Sequence, residues 1–173
     1  MTSIRPNKSL VSLNLASNSG PFKNILGARG AQAISLYLQS TGSECLLNFL
    51  NLKQCCLGND GASALSKGLR LNRSLVALNL SGNSLTHAVI KQLAKSLPAA
   101  LVDLDLSDND LGDEGVTSLC HYLYYRREDA SDDEEEQDLK AQLKRDKFSV
   151  EPLRLLNLSK CKITCKLIPQ SLC

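Results

Sequence analysis

One phrase, L-x-x-L-x-L followed two residues later by Asn or Cys, recurs along this 173-residue chain. The copies are Leu10/Leu13/Leu15/Asn18, Leu47/Leu50/Leu52/Cys55, Leu75/Leu78/Leu80/Asn83, Leu101/Leu104/Leu106/Asn109 and Leu153/Leu156/Leu158/Cys161. Recurrence at a near-fixed period constrains architecture more than any local propensity. Each unit is too small to bury its apolar edge alone and must stack on its neighbours. Such a chain is a solenoid, and its function is expected on an extended surface rather than in a pocket.

Within each copy the leucines alternate with other residues, the period of a short strand. Three copies continue into Leu-Gly-x-x-Gly: Leu26 to Gly30, Leu57 to Gly61 and Leu111 to Gly115. Apolar residues three and four apart follow, as in Ala62/Leu65/Leu69 and Val116/Leu119/Leu123, which is helical spacing. Asp60, Thr86 and Asp113 stand where N-caps are expected. One unit is therefore strand, turn and helix, an α/β class. Its successor begins 28 residues on from Leu47 and then 26 from Leu75.

These residues resemble the leucine-rich repeat family, and the spacing with L-G-x-x-G before a helix is similar to its ribonuclease-inhibitor-like class. The resemblance covers about residues 8–123 and 153–164. It implies a horseshoe arc with parallel strands on the concave face and helices on the convex face. Copy three departs from the pattern, with Thr86-His87-Ala88-Val89 in place of Gly-x-x-Gly, so its turn is expected to be tighter or differently shaped. Copy one carries six extra residues, Gly20 to Ile25. Residues 1–123 read as repeats one to four, 124–152 as an acidic insertion, and 153–173 as a partial fifth repeat.

The Asn/Cys column has a structural reading. After each strand the chain turns inward and leaves backbone polar groups that an apolar interior cannot hydrate. A buried Asn satisfies such groups and a small Cys fills the site. Asn18, Cys55, Asn83, Asn109 and Cys161 are therefore expected to be structural.

The formal net charge of +2 conceals a division. Residues 1–100 carry about +8, residues 101–123 about −6, residues 124–152 about −4 and residues 153–173 about +4. Within the insertion, Glu128 to Asp138 holds eight acids in eleven residues, a density that opposes burial and predicts disorder. Ser131, followed by Asp132-Asp133-Glu134, suits phosphorylation by an acidophilic kinase, and Asp138 to Arg145 has the pattern of a marginal helix. The acidic run could fold over the basic face of residues 1–100.

The chain opens in mid-repeat and ends without a polar capping repeat, which reads as part of a longer repeat protein. Met1 to Asn7 lacks the apolar region of a secretory signal. No apolar run approaches membrane-spanning length. With seven cysteines, an odd number, the thiols read as reduced in a cytoplasmic or nuclear setting.

Partner binding is expected on the strand residues that alternate with the leucines. The middle positions give Asn14, Asn51, Asn79, Asp105 and Asn157, a polar ladder in a setting that disfavours Asn and Asp. Flanking positions add Phe49, Lys53 and Asp103 to the candidates. Phe49, the one aromatic in these rows, is the expected hot spot. Neither His87 nor His121 has a phased nucleophile, and Cys161, Cys165 and Cys173 lack a second chelating pair. No enzyme activity, cofactor or metal is expected. Three in-phase Gly-x-x-Gly copies read as repeat turns, not as a nucleic-acid loop. The leading reading is a non-enzymatic module that binds protein. Two alternatives stand beside it: a GTPase regulator in trans, similar to Ran GTPase-activating proteins, and the sensor or scaffold repeats of a larger receptor or ciliary complex. The Ran regulators carry their acidic tract as a tail after a complete arc, whereas here it interrupts the arc. No arginine here matches theirs residue by residue.

Overall fold

The computed structural model describes residues 9–17, 23–40, 45–125 and 153–164. Asn18, the acidic run, Ser131, the helical pattern at 138–145, Cys165 and Cys173 lie outside these residues. Five short strands form one parallel sheet in chain order: β1 (Ser12–Asn14), β2 (Phe49–Asn51), β3 (Ala77–Asn79), β4 (Asp103–Asp105) and β5 (Leu155–Asn157). Between them run α1 (Gly27–Ser40), α2 (Gly58–Leu69), α3 (His87–Lys95) and α4 (Gly112–Tyr125). Helices α2 and α3 return the chain to the start of the next strand, and the sheet order places consecutive units side by side.

The leucine column fixes the register, since Leu13, Leu50, Leu78, Leu104 and Leu156 lie opposite one another across the sheet. A slip of one residue would turn this column outward. In the three inner rungs all nine phrase leucines are buried, whereas Leu10, Leu13, Leu15, Leu153, Leu156 and Leu158 in the outer two are only partly so. The difference follows from stacking, because among the described residues an outer rung has a neighbour on one side only. Burial of each inner leucine contributes about 1.5–3 kcal/mol relative to exposure. From the helix side Ala62, Leu65, Leu69, Val89, Ile90, Leu93, Val116 and Leu119 close the core.

Helix starts differ from the expected caps at two of three positions. Gly58 and Gly112 take φ values of +60° and +59°, which let the chain swing into the helix earlier than Asp60 and Asp113. Leu57 is then the N-cap of α2 and makes no side-chain cap bond, and Asp60 falls inside the first turn. There its charge still favours the helix dipole. Asp113 likewise sits in the first turn of α4, and its carboxylate accepts the backbone N–H and the hydroxyl of Thr164 from the last rung. Thr86 does cap α3, accepting the Ala88 N–H at 3.4 Å. The altered turn in copy three has a tertiary support. The Asn59 side chain accepts the Thr86 N–H at 3.0 Å and donates to the Thr86 hydroxyl at 2.9 Å. Thr86 is extended where the other copies place a left-handed glycine, and α3 has nine residues against twelve to fourteen elsewhere.

The Asn/Cys column is an inter-rung hydrogen-bond ladder. Asn83 Oδ1 accepts the N–H of Cys55 at 2.9 Å and of Leu57 at 3.3 Å, while its Nδ2 donates to the carbonyls of Leu52, Leu80 and Ser81. Asn109 repeats the arrangement one rung on, accepting from Asn83 and Leu85 and donating to Leu80, Leu106 and Ser107. At the cysteine rungs the thiols of Cys55 and Cys161 donate to Leu15 O at 3.1 Å and Leu106 O at 3.2 Å. Burial pushes both thiols up from their ordinary range, and the backbone amides of Ser17 and Asn109 that face the sulfurs oppose this.

A second Asn device lies at the other end of the strands. Buried Asn72 accepts the N–H groups of Ser74 and Leu75, and the Ser74 hydroxyl donates to Leu47 O at 2.8 Å.

Candidate partner-binding face

The parallel register draws the alternating positions into two rows on the side of the sheet away from the helices. One row runs Ser12, Phe49, Ala77, Asp103, Leu155, and the other Asn14, Asn51, Asn79, Asp105, Asn157. Lys53 follows at the end of β2 and is exposed. All eight candidate residues named from the sequence therefore share one face of the sheet.

The polar ladder is largely self-satisfied. At every rung the side-chain oxygen of the middle residue accepts the backbone N–H two residues on: Asn14 from Ala16, Asn51 from Lys53, Asn79 from Ser81, Asp105 from Ser107, and Asn157 from Ser159, at 2.9–3.1 Å. Each is a local turn that ends its strand, so Asn and Asp persist here despite their poor strand propensity. Asn79 Nδ2 also donates to Asp105 Oδ2 at 3.1 Å. The amide nitrogens of Asn14, Asn51 and Asn157 have no partner among the described residues.

The other row carries apolar and charged surface that is not used within the described residues. Phe49 and Leu155 are 37% and 58% exposed. Between them Ala77 leaves a shallow depression of about 150 Å³, lined also by Asn79, Asp103, Asp105 and Asn157. The Asp103 carboxylate is half-buried there and makes no hydrogen bond or ion pair among the described residues. A second open depression joins Lys53, Ser107, Asp108, Ser159 and Lys160 at the strand ends. Ala77 and Leu155, which were not among the sequence candidates, complete this row. They join Phe49 and Asp103 through adjacency across strands, which spacing along the chain does not display.

His87 stands 3.8 Å from Glu114 at the exposed starts of α3 and α4, a pair the sequence did not indicate. Among the described residues no three His, Cys, Asp or Glu side chains gather as a metal site. None of the described helices is long and apolar enough to cross a membrane. Cys56 and Cys120 are exposed and Cys45, Cys55 and Cys161 are buried, all as free thiols.

A leucine rich repeat family model matches residues 45–66 and 101–120, within copies two and four. Mouse NACHT, LRR and PYD domains-containing protein 12 is 28% identical over 148 residues, covering 68% of this chain and 13% of that protein. Human leucine-rich repeat-containing protein 73 is 46% identical over 61 residues, 34% of this chain and 19% of its own length. Mouse centrosomal protein of 78 kDa is 36% identical over 69 residues, 39% of this chain and 9% of that protein. The chain thus spans a small part of these relatives. The fold matches the solved leiomodin-1 actin-binding site 2 with a TM-score of 0.51 at 16% identity, over 68% of this chain and 66% of that one. These relatives support a protein-interaction repeat module. With five in-register rungs and the matching family model, the chain is a leucine-rich repeat protein.

Proposed function

We propose that this chain is a non-enzymatic protein-binding module that grips its partner along the concave strand face, with Phe49 as the apolar anchor. The observation that carries the reading is the row Phe49–Ala77–Asp103–Leu155, which leaves two large apolar side chains exposed on an otherwise polar, hydrogen-bonded sheet. Exposed aromatics flanked by polar groups are the usual anchors of protein interfaces. The Asn/Asp ladder beneath serves as rigid scaffolding, because its oxygens already close the strand-end turns. Binding along several rungs suits an unpocketed surface, since each rung adds a strip of contact to the last. The helix after each inner strand and the 26–28-residue spacing support assignment to the ribonuclease-inhibitor-like class.

Affinity capture with the wild-type chain and with Ala77→Arg tests the reading. Ala77→Arg fills the centre of the row without touching the leucine core. Proteins retained by the wild type and lost with Ala77→Arg support the strand face; an unchanged set of retained proteins contradicts it.

A further inference from the structure

The geometry points to an arginine side chain of the partner protein as the occupant of the notch over Ala77. The assignment rests on the strand face being the partner-binding surface and names the chemistry that face selects.

Asp103 stands in an apolar row, with Ala77 on the strand to one side and Leu155 on the strand to the other, and Phe49 one strand beyond Ala77. Adjacent strands lie about 4.8 Å apart, so the backbones that carry Phe49 and Asp103 are about 10 Å apart and the two side chains flank a notch with the Ala77 methyl group as its floor. The neighbouring acid, Asp105, is already engaged by the Asn79 amide and the Ser107 N–H. Asp103 has no such bond among the described residues, although it is half-buried.

An incoming surface that covers the notch removes water from that carboxylate. An aliphatic side chain would fill the space and strand the charge, at a cost that a cation avoids. Arginine meets all three features together. Its fork matches a carboxylate bidentately, its plane stacks on an aromatic face, and its stem covers apolar surface such as Leu155. Lysine supplies the charge without the fork or the plane. The cations on this face, Lys53 and Lys160, line the separate depression at the strand ends with Asp105 and Asp108 and are not lining residues of the notch.

The test is selection of a random displayed peptide library on the full chain, then titration of the enriched peptides against wild type, Asp103→Asn and Ala77→Trp. Asp103→Asn keeps the shape and removes the charge, and circular dichroism checks that both variants keep the fold. The expected result is enrichment of arginine beside an apolar residue. Affinity should fall about tenfold or more in Asp103→Asn, with a flatter salt dependence, and binding should vanish in Ala77→Trp. Enriched peptides without arginine that Ala77→Trp still blocks would overturn the arginine notch and leave the strand-face reading standing. Peptides indifferent to Ala77→Trp would overturn both. A selection that yields no arginine preference, or no binder, also overturns the notch.

Discussion

The backbone N–H of Cys55 donates to the side-chain oxygen of Asn83 at 2.9 Å, although the two residues are 28 apart in the chain. This bond welds one rung to the next through a side chain where strand pairing has ended. Asn83 is fully buried and its side chain makes five bonds, three to the preceding rung and two to the carbonyls of Leu80 and Ser81 in its own. Asn83→Leu leaves two amides and three carbonyls without that partner in an interior closed to water. The expected loss is about 3 kcal/mol or more, given the cost of each unsatisfied buried group. Thermal unfolding followed by circular dichroism should show a midpoint several degrees lower; an unchanged midpoint would remove the ladder from the account.

The cysteine rungs are the weak version of the same device. Sulfur is a poorer acceptor than an amide oxygen, and Cys161 faces the Asn109 amide with it. Cys161→Asn should bring the last rung to the pattern of Asn83 and Asn109 and stabilise the chain by about 1 kcal/mol. Denaturant unfolding checks this, and a destabilised variant would show that the site has room only for a thiol.

Those two thiols also set an alkaline limit. Burial raises the pKa of Cys55 and Cys161 above the ordinary value of 9.0, so the folded state holds protons that the unfolded chain has released. Their stabilising contribution is complete below the unfolded pKa and is lost as pH rises through the folded one. Tyr37, whose pKa is raised from 10.0 chiefly by burial, extends the trend to higher pH. The unfolding midpoint should therefore decline above about pH 9. A Cys55→Ala/Cys161→Ala chain should decline less steeply over the same range, and an equal slope would assign the effect elsewhere.

Close packing of α1 on α2 depends on one missing methyl. A Cβ on Gly68 would lie 2.6 Å from the carbonyl oxygen and 2.7 Å from the Cα of Ser35. Gly68→Ala should cost about 1–3 kcal/mol by forcing the two helices apart. Adding Ser35→Ala should not restore the loss, because the closest atoms are backbone. Recovery of stability in the double variant would place the clash on the Ser35 hydroxyl instead.

The leucine phrase made the rungs, the strand register and the buried Asn/Cys column legible before any coordinates, because each depends on spacing within one unit. Bonds between units were not legible. Asn59 supports the Thr86 turn from 27 residues away, and Asp113 reaches forward to Thr164, so neither role is written in local sequence. Asp60 and Asp113 resembled caps because acids favour helix starts, but the left-handed glycines before them had already begun the helix. On the strand face the rows were legible and their internal hydrogen bonds were not. The Asn/Asp ladder reads along the chain as a binding groove, and its spacing does not display that one side-chain oxygen at every rung turns back to its own backbone.

Matched apolar truncations on the two faces test whether a partner binds the strand face and not the helix face. Phe49 lies in the strand row at 37% exposure, and Leu36 lies on α1 at 58%. Exposure alone would favour Leu36 as the contact residue. Isothermal titration of a captured partner should give a Kd weaker by about tenfold or more for Phe49→Ala, in the range of interface hot spots, and little change for Leu36→Ala. A Kd that shifts with Leu36→Ala and holds with Phe49→Ala would contradict the claim.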